Sequence, residues 1–403
     1  MRKTVAEFLH FPENFLWGAC LCDYQHFGGS KCDLPLRWTA KHSHFYEEDF
    51  EFIPKLGLNA FRTGIEWARI EPKENFIDKE AVKFYHSYFT ALRKRGVKIF
   101  VTLHHFTNPS WIHDYGGWLS KKTVEKFIAY VDFASSEFGD YIDYYVVINE
   151  PSIYAYSSYM VGETGLPPYH MDMNEFSISH ENLTEALAEG CKVIHKNKSR
   201  AMVGFSHSVS KYVPEDPSDT NNQQICEMAM NLMIYSIPDA LKNEVDYMGI
   251  DYYVKTYVSK EGVPTKTEIY PEGLRYFLKD FYERYRKPVA IIENGFPTRD
   301  DEMKIKFMLD HLKQAYDAIN EDGVNLFAYL WWSFLHGYEW GHEYRPFLAL
   351  IDVDIDKTYK RTLTKTGEIY RQICRQNGFQ RSLYETYHKL PKKSVFEDWI
   401  EGL

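Results

Sequence analysis

Over residues 79–95 the apolar side chains Ala81, Phe84, Tyr85, Tyr88, Phe89 and Leu92 recur at the spacing that lines one face of a helix. Gly96 follows where a helix end calls for a left-handed residue. The next stretch, 97–103, is rich in apolar residues, ends in His104 and His105, and predicts a strand. This alternation recurs along the chain. Strands are predicted at 15–19, 58–65, 97–103, 143–149, 201–206, 245–251, 288–293 and 325–333. Helices are predicted near 46–56, 79–95, 121–139, 181–197, 221–241, 271–285, 301–320 and 365–376. Strands that alternate with helices imply a parallel sheet. Evenly spaced units favour its closure into a (β/α)8 barrel over an open doubly wound sheet. No Pro/Gly/Ser-rich linker interrupts the pattern, so 1–403 is expected to form one (β/α)8 barrel domain.

Composition narrows the classes. At 44% hydrophobic and 26% charged residues the chain suits a globular protein with a large core. It has no apolar run long enough to span a membrane. Glu7, His10 and Glu13 interrupt the N-terminal stretch where a secretory signal would need apolar residues, so a cytoplasmic location is expected. A net charge of −10 without a Lys/Arg stripe argues against a nucleic-acid partner. Cys20, Cys22 and Cys32, even with His42 and His44 nearby, match no zinc spacing; with Cys191, Cys226 and Cys374 they read as buried free thiols, and no metal is expected. Aromatics make up 17% of the chain, which fits either a bulky core or a sugar site with rings for stacking. Oligomeric state has no signal. The stretch 394–403 places Val395, Phe396, Trp399, Ile400 and Leu403 at helical spacing, and docking onto its own barrel is expected.

Polar and aromatic residues gather at one end of nearly every predicted strand. They are Gln25 just beyond the first, then Arg62, His105, Asn149 with Glu150, His207, Asp251 with Tyr252 and Tyr253, Glu293 with Asn294, and Trp332 with Glu339 and Trp340. In a (β/α)8 barrel the C-terminal strand ends form the catalytic face. Glu150 closes the run VVIN and Glu293 closes VAII. A lone glutamate there is often an ion-pair partner or a neighbour of a helix cap. A pair on one face supplies the carboxyl groups that glycoside hydrolysis needs on either side of the anomeric carbon.

In order, the segments FPENFLWGA, DYQ, FRTGIEWARIEP, VTLHHFTNPSWI, GGW, INEP, MGIDYY, IIENG and WWSFLHGYEW resemble those of glycoside hydrolase family 1, the β-glucosidase family, most of all its compact archaeal members. The resemblance runs from about residue 11 to about residue 375, and order and spacing carry it more than any short motif. It implies a retaining exo-β-glycosidase that takes small unphosphorylated β-glycosides or oligosaccharides and needs no cofactor. Matched by motif, Glu150 would be general acid and base and Glu293 the nucleophile. Arg62 and Tyr253 would keep Glu293 ionised and oriented. Asn149 would bind the sugar 2-hydroxyl, and Gln25, His105, Glu339 and Trp340 the remaining hydroxyls, with Trp332 as aromatic floor. Taken singly, His105 reads as a core histidine, and Trp332 and Trp340 as core packing.

Several positions depart from the family pattern. Asp251 stands in place of Asn, Phe27 of Glu, Ile292 of Thr and His336 of Asp; Leu348 replaces an aromatic near the sugar 6-position. Asp251 should either raise the pKa of neighbouring acids or pair with a cation. These changes bear on sugar preference and pH profile. Retention of Glu339, whose carboxylate would repel a phosphate dianion, argues against 6-phosphorylated sugars. Glu150, where thioglucoside-cleaving members have Gln, argues against thioglucosides. Two other readings share the site: sugar transfer to an alcohol, and a non-catalytic sugar-binding barrel.

Overall fold

The computed structural model describes residues 7–197, 200–340 and 347–391. The amphipathic stretch at 394–403 lies outside them. Eight strands form the frame: β1 (Leu16–Cys20), β2 (Ala60–Gly64), β3 (Lys98–Thr102), β4 (Tyr144–Asn149), β5 (Met202–Pro214), β6 (Met248–Val258), β7 (Val289–Asn294) and β8 (Leu326–Trp331). Each pairs in parallel with its successor, and β8 returns to β1, which closes a (β/α)8 barrel. Helices α1 (Lys79–Lys94), α2 (Lys121–Phe138), α3 (Met173–Lys196), α4 (Pro271–Tyr285), α5 (Asp301–Asn320) and α6 (Lys365–Gln376) are the longest of the surrounding layer.

The strands alternate between two packed layers. Leu16, Ala60, Phe100, Val146, Ala290, Ala328 and Leu330 share a cluster that fills the barrel. Their neighbours Trp17, Phe61, Ile99, Tyr145, Val147, Ile291 and Tyr329 pack outward in the helix layer. Arg62 has the same parity as Ala60, so the period of two aims a buried cation at the barrel axis.

Local signals explain the helix ends. Asp78 accepts from the backbone N–H of Glu80 and Ala81 and caps α1, and Gly96 takes φ 71° beyond its other end, as its place in the sequence suggested. The predicted helix at 46–56 divides into His42–Phe50 and Phe52–Leu56. That predicted at 181–197 begins earlier, at Met173, where Asp172 caps it. Strands β5 and β6 outrun their predicted ends because they stay paired past the barrel rim, from Lys211↔Lys255 to Pro214↔Val258. A short antiparallel strand, Pro264–Glu268, extends β6.

A clasp joins distant parts of the chain. Phe8–His10 pairs antiparallel with Gly378–Gln380. Asn377 takes φ 51° after α6, accepts from Trp17 Nε1 at 2.8 Å and donates to the carbonyls of Phe11 and Pro12. Among the described residues no helix is long and apolar enough to cross a membrane.

Candidate active site

By simple alternation Glu293, next to inward-packed Ile292, would point away from the axis. The pairing of β7 slips by one residue against both neighbours: Ile250 faces Ile291 but Asp251 faces Glu293, and Tyr329 faces Ile291 but Trp331 faces Asn294. Strand β4 slips in the same way between Val146 and Asn149. Such bulges re-aim the side chains that follow them, and both strand-end glutamates come to the mouth of the barrel.

Arg62 organises the floor. Its Nη1 donates to Glu293 Oε1 at 2.5 Å, its Nη2 to Asn149 Oδ1, and its Nε to Thr102 Oγ1 at 2.9 Å. The other oxygen of Glu293, Oε2, accepts from the Tyr253 hydroxyl at 2.7 Å. Burial, and after it the charge of Glu293, holds that hydroxyl protonated. Asn149 Nδ2 donates to His105 Nε2 at 3.3 Å, and His105 is kept neutral by burial and then by Arg62.

A second set faces it. Gln25 Nε2 donates to Glu339 Oε2 at 3.0 Å and to the Tyr338 carbonyl, while Trp332 Nε1 donates to Glu339 Oε1 at 3.2 Å. The His105 ring lies 5.6 Å from that of Trp332 and 5.8 Å from that of Trp340, which also stacks on Tyr24 at 5.7 Å. Gln25 Oε1 is buried without a partner, as an acceptor reserved for a ligand hydroxyl would be.

Burial, and next the nearby Glu293, pushes the Glu150 carboxyl up to about 8. Burial also pushes Glu339 up to about 8, and Asp251 well above the carboxylate range with Glu293 and Glu150 adding to it. One oxygen each of Glu150, Asp251 and Glu293 lies within 4.8 Å of the others. Among the described residues this trio has a donor set that a metal ion could use, and Arg62 already brings a positive charge to it. Near neutral pH the geometry thus offers a proton-bearing Glu150 close to a Glu293 gripped by a cation and a hydroxyl.

Gln25, Arg62, His105, Asn149, Glu150, Asp251, Tyr253, Glu293, Trp332, Glu339 and Trp340 meet here. Of the other strand-end residues, Tyr252 donates to the Tyr270 carbonyl, and Asn294 donates to the Tyr252 carbonyl and accepts from the Tyr329 hydroxyl, outside the site. His207 Nε2 turns to the Ile234 carbonyl at 2.9 Å, outside the site. Asp251 has no ion pair among the described residues; its Oδ2 accepts from the Ser206 hydroxyl. Leu348 is buried against Gly295, and His336 is pushed down to about 3 by burial, so it packs as a neutral ring on Phe347. Phe27 belongs to the core. Sequence reasoning passed over Ser206, Thr102 and Tyr24, although Tyr24 adjoins Gln25 and Ser206 ends a predicted strand. Three non-glycine residues in the left-handed region adjoin the site: Phe106 at φ 67°, Glu150 at 41° and Trp340 at 38°, next to His105, Asn149 and Glu339.

The family model described as Glycosyl hydrolase family 1 matches residues 37–240 and 258–379. A beta-galactosidase of Sulfolobus acidocaldarius is 25% identical over 89% of the chain and 88% of its own length. The chloroplastic galactolipid galactosyltransferase SFR2 of Arabidopsis thaliana is 28% identical over 83% of the chain, which spans 58% of that protein. The structure of a beta-glycosidase from Pyrococcus horikoshii superposes with a TM-score of 0.88 at 27% identity, over 96% of this chain and all of that one.

Proposed function

The chain belongs to glycosyl hydrolase family 1, and from that premise we propose that it is a retaining exo-β-glycosidase acting on unphosphorylated β-glycosides. The observation that carries the reading is the contrast between two neighbouring carboxyls. Glu150 is pushed up to about 8, whereas Glu293 is held by Arg62 at 2.5 Å and Tyr253 at 2.7 Å. Their approach to within 4.8 Å suits a direct displacement, for which about 5–5.5 Å is usual; a water between them would need about 6.5–9.5 Å.

In the first step Glu293 bonds to the anomeric carbon as the bond to the leaving oxygen breaks, and that oxygen takes the Glu150 proton. In the second, Glu150 as carboxylate removes a proton from water. The water oxygen bonds to the anomeric carbon, Glu293 leaves, and the β configuration returns. Asn149, placed by Arg62 and His105, would hold the 2-hydroxyl. Gln25, His105, Glu339 and Trp340 would hold the other hydroxyls over Trp332. Repulsion of a phosphate dianion by Glu339 operates only once that acid ionises, near pH 8 or above. Below that pH Glu339 is neutral and gives no charge-based discrimination against a phosphate.

An alcohol can discharge the same intermediate. The relation to a galactolipid galactosyltransferase favours transfer as a second reading. Azide tests the assignment: Glu150→Ala should yield a β-glycosyl azide and Glu293→Ala an α-glycosyl azide, and the reverse pattern would exchange the two roles. A panel of aryl β-glucoside, galactoside, mannoside and fucoside, each with and without an alcohol acceptor, would rank the sugars and the two outcomes. Sugar binding without turnover of any of them would leave only the binding-protein reading.

A further inference from the structure

The floor of the site holds more acid than its cation can balance. Arg62 spends its Nη1, Nη2 and Nε donors on Glu293, Asn149 and Thr102, and forms no ion pair with Asp251. Asp251 is fully buried on β6; Oδ2 accepts from Ser206 and Oδ1 has no partner. The groups that face it from the surrounding elements are Glu150 beyond β4, Glu293 on β7, Arg62 on β2, Cys20 on β1, and Tyr247 and Tyr253 near it in sequence. Burial keeps the thiol and both phenols protonated, so Arg62 is the only one of these that is a cation. It already neutralises Glu293. An ionised Asp251 would be a second buried negative charge supported only by neutral groups, the Ser206 hydroxyl and the proton-bearing Glu150, a state that protein interiors avoid by taking up a proton.

We propose that Asp251 keeps its proton in the working enzyme and acts as a positioning residue. The neutral acid leaves Arg62 undivided on Glu293, and carries its O–H on Oδ1 as a donor beside the Glu150–Glu293 pair. This rests on the roles given above to that pair. Loss of the Asp251 proton would add a negative charge within 4.8 Å of both glutamates. Arg62 would then be drawn between two carboxylates, and Glu150 would release its proton less readily to a leaving oxygen. An amide at this position would lack this titration. The acid therefore gives the enzyme a second alkaline limit, set by a group that never bonds to the substrate's anomeric carbon.

Infrared spectroscopy of protein labelled with 13C at aspartate side-chain carboxyls tests the proton directly. At about pH 8, an aspartate-derived band of a protonated acid is expected in the parent and is expected to be missing from Asp251→Asn. Asp23, pushed up to about 7 by burial and then by Glu66, is mostly ionised by then. No such band in the parent, or the same band in the variant, would overturn the proposal. Because nothing is turned over in this measurement, it stands or falls apart from the glycosidase reading. Burial also raises Asp280, so the parent is compared in an Asp280→Asn background, where its band alone decides if Asp251→Asn does not fold. In kinetics, the alkaline limb of log kcat/KM should be steeper by one proton in the parent than in Asp251→Asn, whatever Glu150 and Glu339 contribute to both; equal slopes would overturn the second alkaline limit.

Discussion

Glu150 must be an acid in one half of the proposed reaction and a base in the other, and its surroundings set where that exchange sits. With its carboxyl pushed up to about 8, the acid form prevails at neutral pH. Activity should therefore hold toward neutrality and fall as pH rises through about 8, read as the alkaline limb of kcat/KM. A limb in the ordinary glutamate range would contradict the assignment. The same shift bears on stability. Between the usual glutamate range and about 8 the unfolded chain has released this proton and the native protein has not, so stability falls with rising pH across that window. Glu150→Gln removes the effect. Urea unfolding should show the variant gaining on the parent by about 1.4 kcal/mol per pH unit; a constant difference would argue against a proton-bearing Glu150. Most of the site was legible at this scale, since Glu150, Glu293, Arg62 and Tyr253 stand beside strand ends in recognisable segments. Ser206 and Thr102 were not, because serine and threonine are common in strands and only the barrel brings them to Asp251 and Arg62.

At the scale of elements, the helix period and the apolar strands disclosed the barrel, but the bulges in β4 and β7 left no mark on the pattern. A one-residue slip depends on the partner strand's register, which a single chain's alternation does not contain. The run-on of β6 past its predicted end at 251 has a sequence signal in hindsight: Tyr252 and Val254 alternate with Tyr253 and Lys255, buried against half-buried, as a strand leaving a core should. The clasp around Asn377 was invisible, since its partners lie hundreds of positions away. Its side chain makes hydrogen bonds to Trp17, Phe11 and Pro12 from a left-handed backbone. Asn377→Ala should cost about 2 kcal/mol and lower Tm by a few degrees, with the kcat/KM pH profile unmoved. An unchanged Tm would mean that the clasp does not contribute to stability, and an altered pH profile that it reaches the site.

For the molecule as a whole, all six cysteines are free and buried, and burial raises every thiol above its usual range. They are spread from β1 to α6, so their reactivity reports opening of the entire barrel. In native protein, reaction with a thiol reagent such as Ellman's should be slow, and all six should titrate once denaturant is added. Rapid reaction of several thiols in buffer would show that the barrel opens locally. The left-handed backbone at Phe106, Glu150 and Trp340 has a different bearing, on descent. Folding alone would favour glycine or asparagine there, by about 1 kcal/mol at each place. A lineage released from the need to process sugars should drift toward those residues at positions 106, 150 and 340, becoming more stable as it lost its trade. The bulky side chains at all three positions therefore cost the fold while standing beside His105, Asn149 and Glu339 at the mouth of the barrel.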